Sequence, residues 1–267
     1  MPGVAVSKES REARAAAREQ WGRNPAGTMH ADAEEGTAAF FAQMTASRYQ
    51  LQPWHPDLLR RFAPEGRLLE IGSGAGTDHA ELARMAATTV ALDLAPRGAA
   101  LTQRRLRLEG RPGSAVVADG ERMPLASSVF DAVYSFGVIH HTDHPQAVAA
   151  EMHRVLKPGG RFLVALYHRA SLFALYRVLR YVGTGAFLRE TWRDHLALVE
   201  AGADQLSDRP LVRLYSRRQA RALFASFEDV RTEVLHGGVR WRFLQRPFFA
   251  RRWGWYVVVT GRKPGRR

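Results

Sequence analysis

Residues 68–77 read Leu68-Leu69-Glu70-Ile71-Gly72-Ser73-Gly74-Ala75-Gly76-Thr77 and lead into a helical pattern at residues 78–84. A short apolar run that passes through alternating glycines into a helical pattern predicts a strand, a tight turn and a helix. Glycine accepts positive φ, and the free N–H groups at the start of a helix attract polar ligands. The stretch therefore predicts a polar ligand on this turn.

The spacing of the three glycines narrows the choice of ligand. The dinucleotide fingerprint is G-x-G-x-x-G, and Thr77 stands where its third glycine should be. A phosphate-binding P-loop requires a Gly-Lys-Ser/Thr run, which does not follow here. The spacing therefore disfavours NAD, FAD and nucleoside triphosphates.

Length and composition bound the class of protein. A chain of 267 residues with 46% hydrophobic content can bury a substantial core, so we expect a single catalytic-type domain. It has no cysteine, which excludes disulfides, iron–sulfur clusters and thiolate zinc sites. The start of the chain has no signal-peptide pattern, and no stretch approaches the roughly 18 apolar residues of a membrane span. We expect a cytoplasmic protein with no integral membrane contact.

The net charge of +13 is concentrated at the C-terminus. Residues 239–267 carry nine basic residues and no acid, and removing those nine from +13 leaves +4. Basic proteins often bind nucleic acids or membranes. Because the excess is local, we expect a solvated basic tail rather than a nucleic-acid surface.

Strands and helices alternate from residue 67 onward. The predicted strands are 67–71, 88–92, 114–118, 130–135, 161–166, 228–235 and 255–260, and the predicted helices between them include 76–86, 97–109, 145–156 and 216–226. Strands that alternate with helices of ten or more residues require right-handed crossovers and a parallel sheet. The pattern predicts a doubly wound, seven-stranded, mostly parallel α/β sheet.

The remaining segments divide the chain into four parts. Residues 1–65 form an N-terminal helical cap, a candidate lid, and residues 66–168 form the core. Residues 169–213 interrupt the alternation with a predicted helical insert, including helices at 172–182 and 186–201, and long insertions at strand ends often cover a site. Residues 214–267 complete the sheet and carry the basic C-terminus.

Four further features follow the glycine turn in order. They are Asp93 at the end of the second strand, Ala118-Asp119-Gly120 after the third, Phe130-Asp131-Ala132-Val133-Tyr134-Ser135 at the fourth, and Arg154-Val155-Leu156-Lys157-Pro158-Gly159-Gly160 before the fifth. As a set, covering about residues 66–167, they resemble the class I S-adenosylmethionine (SAM)-dependent methyltransferases. The resemblance is to the group that includes ubiquinone/menaquinone-biosynthesis and many natural-product methyltransferases. It implies a Rossmann-like core with SAM as cofactor and S-adenosylhomocysteine as product.

The same resemblance implies a set of cofactor-binding residues. Glu70, Gly72, Ser73, Gly74, Gly76 and Thr77 match the part that receives methionine; Asp93 and Leu94 match the ribose site; Asp119 and Gly120 match the adenine edge; Ser135 and Phe136 match the lining around the sulfonium. The alternative is that the acids only cap the helices that follow them.

Methyl transfer from a sulfonium is an in-line displacement, so proximity and alignment supply most of the catalysis, about 7–11 kcal/mol. A base is needed only where the nucleophile carries a proton. His140 is the first candidate, followed by His141 and Tyr167, against the alternative that the histidines cap a helix or pack in the loop. The cluster His140, His141, Asp143 and His144 matches no zinc signature, so we expect no metal.

These observations predict a methyltransferase that acts on an N, O or C nucleophile of a small biosynthetic acceptor. Ser135-Phe136-Gly137-Val138 replaces the Asn/Asp-Pro-Pro-aromatic signature typical of relatives that methylate base amino groups or glutamine amides. The alternatives are an RNA or protein methyltransferase using the basic C-terminal surface, and a non-catalytic SAM-binding module. The oligomeric state stays open, with a homodimer as one option.

Overall fold

The strands of the chain form one sheet in the computed structural model, which describes residues 8–200, 210–236 and 246–265. They are β1 (Arg67–Ile71), β2 (Thr88–Asp93), β3 (Ser114–Val117), β4 (Phe130–Phe136), β5 (Leu156–Tyr167), β6 (Glu228–Leu235) and β7 (Tyr256–Arg262). Their order is β3-β2-β1-β4-β5-β7-β6. All pairs are parallel except those made by β7, which runs antiparallel to β5 and β6. The predicted seven-stranded, mostly parallel sheet is confirmed.

Helices flank the sheet and form the cap and insert. They are α1 (Lys8–Arg23), α2 (Ala38–Leu51), α3 (His55–Phe62), α4 (Thr77–Leu82), α5 (Pro96–Leu108), α6 (Pro145–Val155), α7 (Leu172–Gly183), α8 (Trp192–Ala197), α9 (Arg217–Leu223) and α10 (Pro247–Trp253).

The insert differs from its prediction. A continuous helix was expected over 186–201, but a 3-10 turn covers Ala186–Leu188 and α8 begins only at Trp192. The cause is local: the Thr191 hydroxyl accepts a hydrogen bond from the Asp194 N–H and so starts a new helix. Residue 201, the end of that expected helix, lies outside the described residues, as do residues 239–245, 266 and 267 of the basic segment.

The central strands are buried on both faces, which explains their continuous apolar sequences. In β5, Phe162, Val164 and Leu166 belong to one core and Leu163, Ala165 and Tyr167 to the other.

The cap is held by core packing rather than by surface contacts. Phe40, Phe41 and Met44 of α2 form a buried cluster with Ala75 of the glycine turn and Leu101 of α5. The N-terminal helices therefore lie directly against the turn where a ligand was predicted.

The strand order places the switch point of the sheet at β1. This strand pairs with β2 on one side and β4 on the other, so the chain winds away from it in opposite directions. Ligands of open α/β sheets bind outside the carboxyl ends of the strands at such a point.

Candidate functional site

A cavity of about 510 Å³ lies at the carboxyl ends of the strands around this switch point. The cap, the glycine turn and the insert all contribute to its walls. Nine of the predicted cofactor residues line it: Glu70, Gly72, Ser73, Gly74, Thr77, Asp93, Leu94, Asp119 and Phe136. Gly76, Gly120 and Ser135 are not among the lining residues.

The three glycines of the turn all have positive φ but serve different purposes. A Cβ at Gly72 would lie 2.3 Å from a methyl group of Val138, and one at Gly76 would lie 2.9 Å from the Thr102 hydroxyl. These two positions therefore permit close packing. At Gly74 a Cβ would be in ordinary van der Waals contact, 3.7 Å from Ala26 of the cap, and this glycine lines the cavity. A ligand can approach the main chain there.

Asp93 holds two backbone N–H groups at the cavity wall. Its Oδ2 accepts a hydrogen bond from the Gly74 N–H (2.7 Å) and its Oδ1 accepts one from the Ala95 N–H (2.8 Å). Burial raises the pKa of Asp93, and the two backbone hydrogen bonds oppose that rise. Because each carboxylate oxygen has a second lone pair, Asp93 can hold the turn and still accept hydrogen bonds from ligand hydroxyls.

Asp119 connects the core to the cap. Its Oδ1 accepts a hydrogen bond from the Glu121 N–H (2.8 Å), and its Oδ2 lies 3.2 Å from Nη1 of Arg14 on α1. The Nη2 of Arg14 lies 2.5 Å from Glu121 Oε2. The first helix thus covers the loop where the resemblance places adenine.

Ser135 has a structural contact instead of a place at the cavity. Its hydroxyl donates to the Ile71 carbonyl (3.0 Å) and ties β4 to β1. Phe136, the next residue, does line the cavity.

A buried ion-pair network, which the sequence did not predict, lies beside the turn. Asp78 accepts hydrogen bonds from Arg48 Nη2 (2.9 Å) and the Tyr134 hydroxyl (2.8 Å), and it lies 2.9 Å from His55 Nε2. Arg48 comes from α2, and its guanidinium lies 4.7 Å above the centre of the Phe136 ring. The position of Asp78 directly after the glycine turn could have indicated this residue from the sequence, whereas no sequence motif marks Arg48.

We predict that Asp78→Asn destabilises the protein by on the order of 3 kcal/mol at pH 7, because it leaves the charge of Arg48, whose side chain is only 25% exposed, without its carboxylate partner. Burial raises the pKa of Asp78, but Arg48 and His55 outweigh burial and hold it below its ordinary value. The pKa of Asp78 is thus lower in the folded protein than in the unfolded protein, where it is about 4. Ionised Asp78 therefore stabilises the fold above about pH 4, and this stabilisation is lost as the pH falls through the folded pKa. The difference between wild type and variant should therefore shrink below about pH 4.

Urea unfolding at a series of pH values measures this difference. Asp57→Asn is the matched control, since Asp57 is exposed and its ion-pair partner among the described residues is Arg60 on its own helix, and we expect a change below about 0.5 kcal/mol. If Asp78→Asn lowered the free energy of unfolding by no more than Asp57→Asn does, the network would not stabilise the fold.

His141, Tyr167 and Glu200 meet at another part of the cavity wall. His141 Nδ1 lies 2.6 Å from the Leu211 carbonyl, which can only accept, so Nδ1 carries the proton and Nε2 is the basic nitrogen. Nε2 lies 3.6 Å from Glu200 Oε1, and the Tyr167 hydroxyl donates to the same oxygen (2.9 Å). Burial, and then Glu200, raise the pKa of Tyr167 well above 10, so its phenol keeps its proton.

His140 packs behind this group, with its ring centre 4.1 Å from that of His141 and 3.9 Å from that of Tyr167. It is fully buried, is absent from the cavity lining, and within the described ranges neither of its ring nitrogens has a hydrogen-bond partner. Burial, and then His141, hold the pKa of His140 well below 6.5. The two histidines share the 3-10 turn Ile139–His141, in which successive side chains point about 120° apart. The sequence ranked His140 first, but the structure places only His141 at the cavity.

Acidic side chains dominate the cavity despite the basic chain. Of the described residues, seven with carboxylates and three with guanidiniums line it: Glu70, Asp78, Asp93, Asp119, Glu121, Asp143 and Glu200, with Arg14, Arg48 and Arg193. Among the described residues no group of three or more histidines or acids is arranged to hold a metal ion.

Comparison with known proteins identifies the core. Residues 69–164 match a family described as a methyltransferase domain. This part of the chain belongs to that family. The methyltransferase domain thus comprises the glycine turn, Asp93, Asp119 and β4 and extends into β5.

Curated relatives of the methyltransferase domain include two classes of methyltransferase. The chain is 42% identical over 116 residues to a malonyl-[acyl-carrier protein] O-methyltransferase of Laribacter hongkongensis, covering 40% of this chain and 39% of that protein. It is 31% identical over 160 residues to a demethylmenaquinone methyltransferase of Mycobacterium marinum, covering 52% and 66%. Across such curated relatives it spans between 28% and 66% of their length.

A solved structure confirms the Rossmann-like methyltransferase fold over nearly the whole chain. The [4+2]-cyclase SpnF has a TM-score of 0.57 at 18% identity and covers 98% of this chain and 96% of its own. Because that neighbour is named as a cyclase, the fold alone does not specify the reaction. In the described segments of the chain, no helix combines the length and apolar character needed to cross a bilayer.

Proposed function

We propose that this protein transfers the methyl group of SAM to a proton-bearing N or O nucleophile of a small acceptor. One observation supports this most directly: a single cavity contains the glycine turn, Asp93 and Asp119 together with His141, Tyr167 and Glu200. Such a cavity can hold a donor and an acceptor side by side. The methyltransferase domain match and the methyltransferase relatives support the choice of SAM as donor.

The residues present fit this cofactor. Gly74 lines the cavity, where a ligand can approach its backbone, and Asp93 has free lone pairs for ribose hydroxyls. The excess of carboxylates suits a cofactor that carries a sulfonium and an ammonium group. In this proposal Glu70 and the glycine turn hold the methionine part, Asp93 the ribose and Asp119 the adenine end.

SAM, when bound, supplies an electrophilic methyl group to a nucleophile in line with its carbon–sulfur bond. The contribution of the chain is to position the acceptor and accept its proton. His141 Nε2 is the base: the Leu211 carbonyl fixes its ring, and Glu200 stabilises the imidazolium that forms. Tyr167 keeps its proton and holds Glu200 in place. This role of His141 replaces the sequence preference for His140.

An RNA acceptor is the second candidate, and the acidic lining counts against it. A polyanion entering the cavity would face seven carboxylates and three guanidiniums, and two of those guanidiniums, on Arg14 and Arg48, already pair with acids. A small neutral or cationic acceptor fits this electrostatic environment better.

Calorimetry with SAM and S-adenosylhomocysteine, with ATP as the control nucleotide, tests the proposal. We expect both adenosyl ligands to bind and ATP not to bind. Transfer of label from methyl-labelled SAM to a panel of small amines and phenols then tests turnover. Lack of SAM binding would overturn the proposal, and binding without transfer to any acceptor would favour the non-catalytic module. Salt-dependent RNA binding with label transfer to RNA would favour the second candidate.

A further inference from the structure

Helix α7 of the insert turns its apolar side outward. Leu175, Val178, Leu179 and Val182 lie on one face, at i, i+3, i+4 and i+7, and are 53%, 43%, 62% and 60% exposed. The opposite face buries Arg177, whose guanidinium donates to the His195 carbonyl. A helix on a water-soluble surface normally has the reverse arrangement, with its apolar stripe facing the core.

The apolar face continues into the next turn. Phe187 and Leu188, in the 3-10 turn that packs against α7, are 52% and 77% exposed. We call these six residues, Leu175, Val178, Leu179, Val182, Phe187 and Leu188, the apolar ridge. Single exposed apolar residues are common on protein surfaces, but a contiguous patch indicates an interaction surface.

The charges around the apolar ridge indicate what it contacts. Residues 169–189 contain four arginines and no acid, and the exposed Arg180 and Arg189 directly follow the ridge residues Leu179 and Leu188 in the sequence. The next acid along the chain, Glu190, is hydrogen-bonded to His195 Nδ1 (2.8 Å). Exposed cations beside an apolar face complement an anionic surface. Two copies joined through this face would instead bring the same arginines together in a chain of net charge +13.

We propose that the apolar ridge docks on the interface of an anionic lipid membrane. Its apolar side chains enter the boundary between headgroups and acyl chains, while Arg180 and Arg189 contact the headgroup phosphates. This is interfacial attachment, which requires no membrane-spanning helix.

The apolar ridge belongs to the same insert that supplies Arg193 and Glu200 to the cavity. An acceptor dissolved in the membrane would therefore reach the cavity from the insert side. That link to the acceptor rests on the proposed function, whereas lipid binding itself does not. If the protein bound vesicles but not SAM, the proposed function would be refuted and the proposed membrane docking of the ridge would stand.

Co-sedimentation of the full chain with lipid vesicles tests the proposal. We expect binding to phosphatidylcholine vesicles containing phosphatidylglycerol, weaker binding to phosphatidylcholine alone, and loss of binding at high salt. The double variant Leu179→Glu/Val182→Glu should lower the partition coefficient by about tenfold or more, since it places two charges in the inserted face. Leu108→Glu, at a residue on α5 that is 54% exposed, is the matched control and should bind as the wild type does.

Thermal unfolding of all variants verifies that they fold, and the single variant Leu175→Glu substitutes for the double variant if that one does not. Equal loss of binding in the Leu108→Glu control would overturn the proposal, as would a wild-type protein that ignores anionic vesicles. Sedimentation velocity tests the alternative that a second copy of this chain covers the apolar ridge. A wild-type dimer that dissociates in the Leu179→Glu/Val182→Glu variant, without vesicle binding, would assign the ridge to a second copy of this chain.

Discussion

Asp93→Ala is expected to abolish tight SAM binding, with a loss of affinity of about 10²- to 10⁴-fold. The reason is that the variant removes the carboxylate that we propose accepts hydrogen bonds from both ribose hydroxyls, and a hydrogen bond to a charged group contributes about 1.5–3 kcal/mol. The effect should appear in calorimetric titrations of the apo protein with SAM and with S-adenosylhomocysteine alike, since the two share the ribose.

Asp93 also holds the Gly74 and Ala95 N–H groups, so its removal should lower the melting temperature without unfolding the protein at room temperature. Asp93→Asn keeps the size of the side chain and one acceptor oxygen, and should lie between wild type and Asp93→Ala. Asp131→Asn is the control: this acid is the second residue of β4, at the end of that strand opposite the cavity, and it pairs with Lys157 (2.8 Å). A wild-type affinity for SAM in Asp93→Ala would show that Asp93 only holds backbone N–H groups and does not bind the ribose.

His141→Asn is expected to lower kcat by about 10²- to 10⁴-fold while leaving the affinity for SAM unchanged. Asparagine can still donate to the Leu211 carbonyl, so the loop should keep its conformation, but it offers no basic nitrogen at the position of Nε2. Single-turnover measurement of methyl transfer separates this chemical step from product release.

His140→Asn is the matched comparison, one residue away and outside the cavity lining. It removes a buried imidazole that packs on His141 and Tyr167 and whose ring nitrogens have no hydrogen-bond partner among the described residues, so we expect a larger effect on stability than on methyl transfer. If His140→Asn lost methyl transfer while His141→Asn kept full activity, the base would be His140, the first candidate from the sequence. Full activity in both variants would mean that the reaction needs no histidine base.

The alternation of strands and helices was sufficient to predict the fold, because the periodicity of apolar residues directly reflects which faces of each element are buried. The prediction was weaker in the insert, where capping by Thr191 divides one expected helix. Such a break depends on a single side-chain hydrogen bond, which apolar periodicity does not register.

The cofactor half of the site was also largely predictable. Nine of the twelve residues proposed from the resemblance line the cavity, because they lie on the carboxyl ends of adjacent parallel strands and the strand order brings those ends together. Ser135 is an exception whose hydroxyl turns to the Ile71 carbonyl.

The sequence by itself determined the sheet, the glycine turn and the acids around it, since these follow from local spacing along the chain. Only the tertiary structure decided which histidine faces the cavity, because His140 and His141 are neighbours in sequence and differ only in the direction of their side chains on a 3-10 turn. Tertiary packing also placed Arg48 of the cap and Glu200 of the insert at the cavity, the first 30 residues before Asp78 and the second 33 residues after Tyr167. Contacts between residues so far apart depend on how whole helices pack, and no local pattern encodes them.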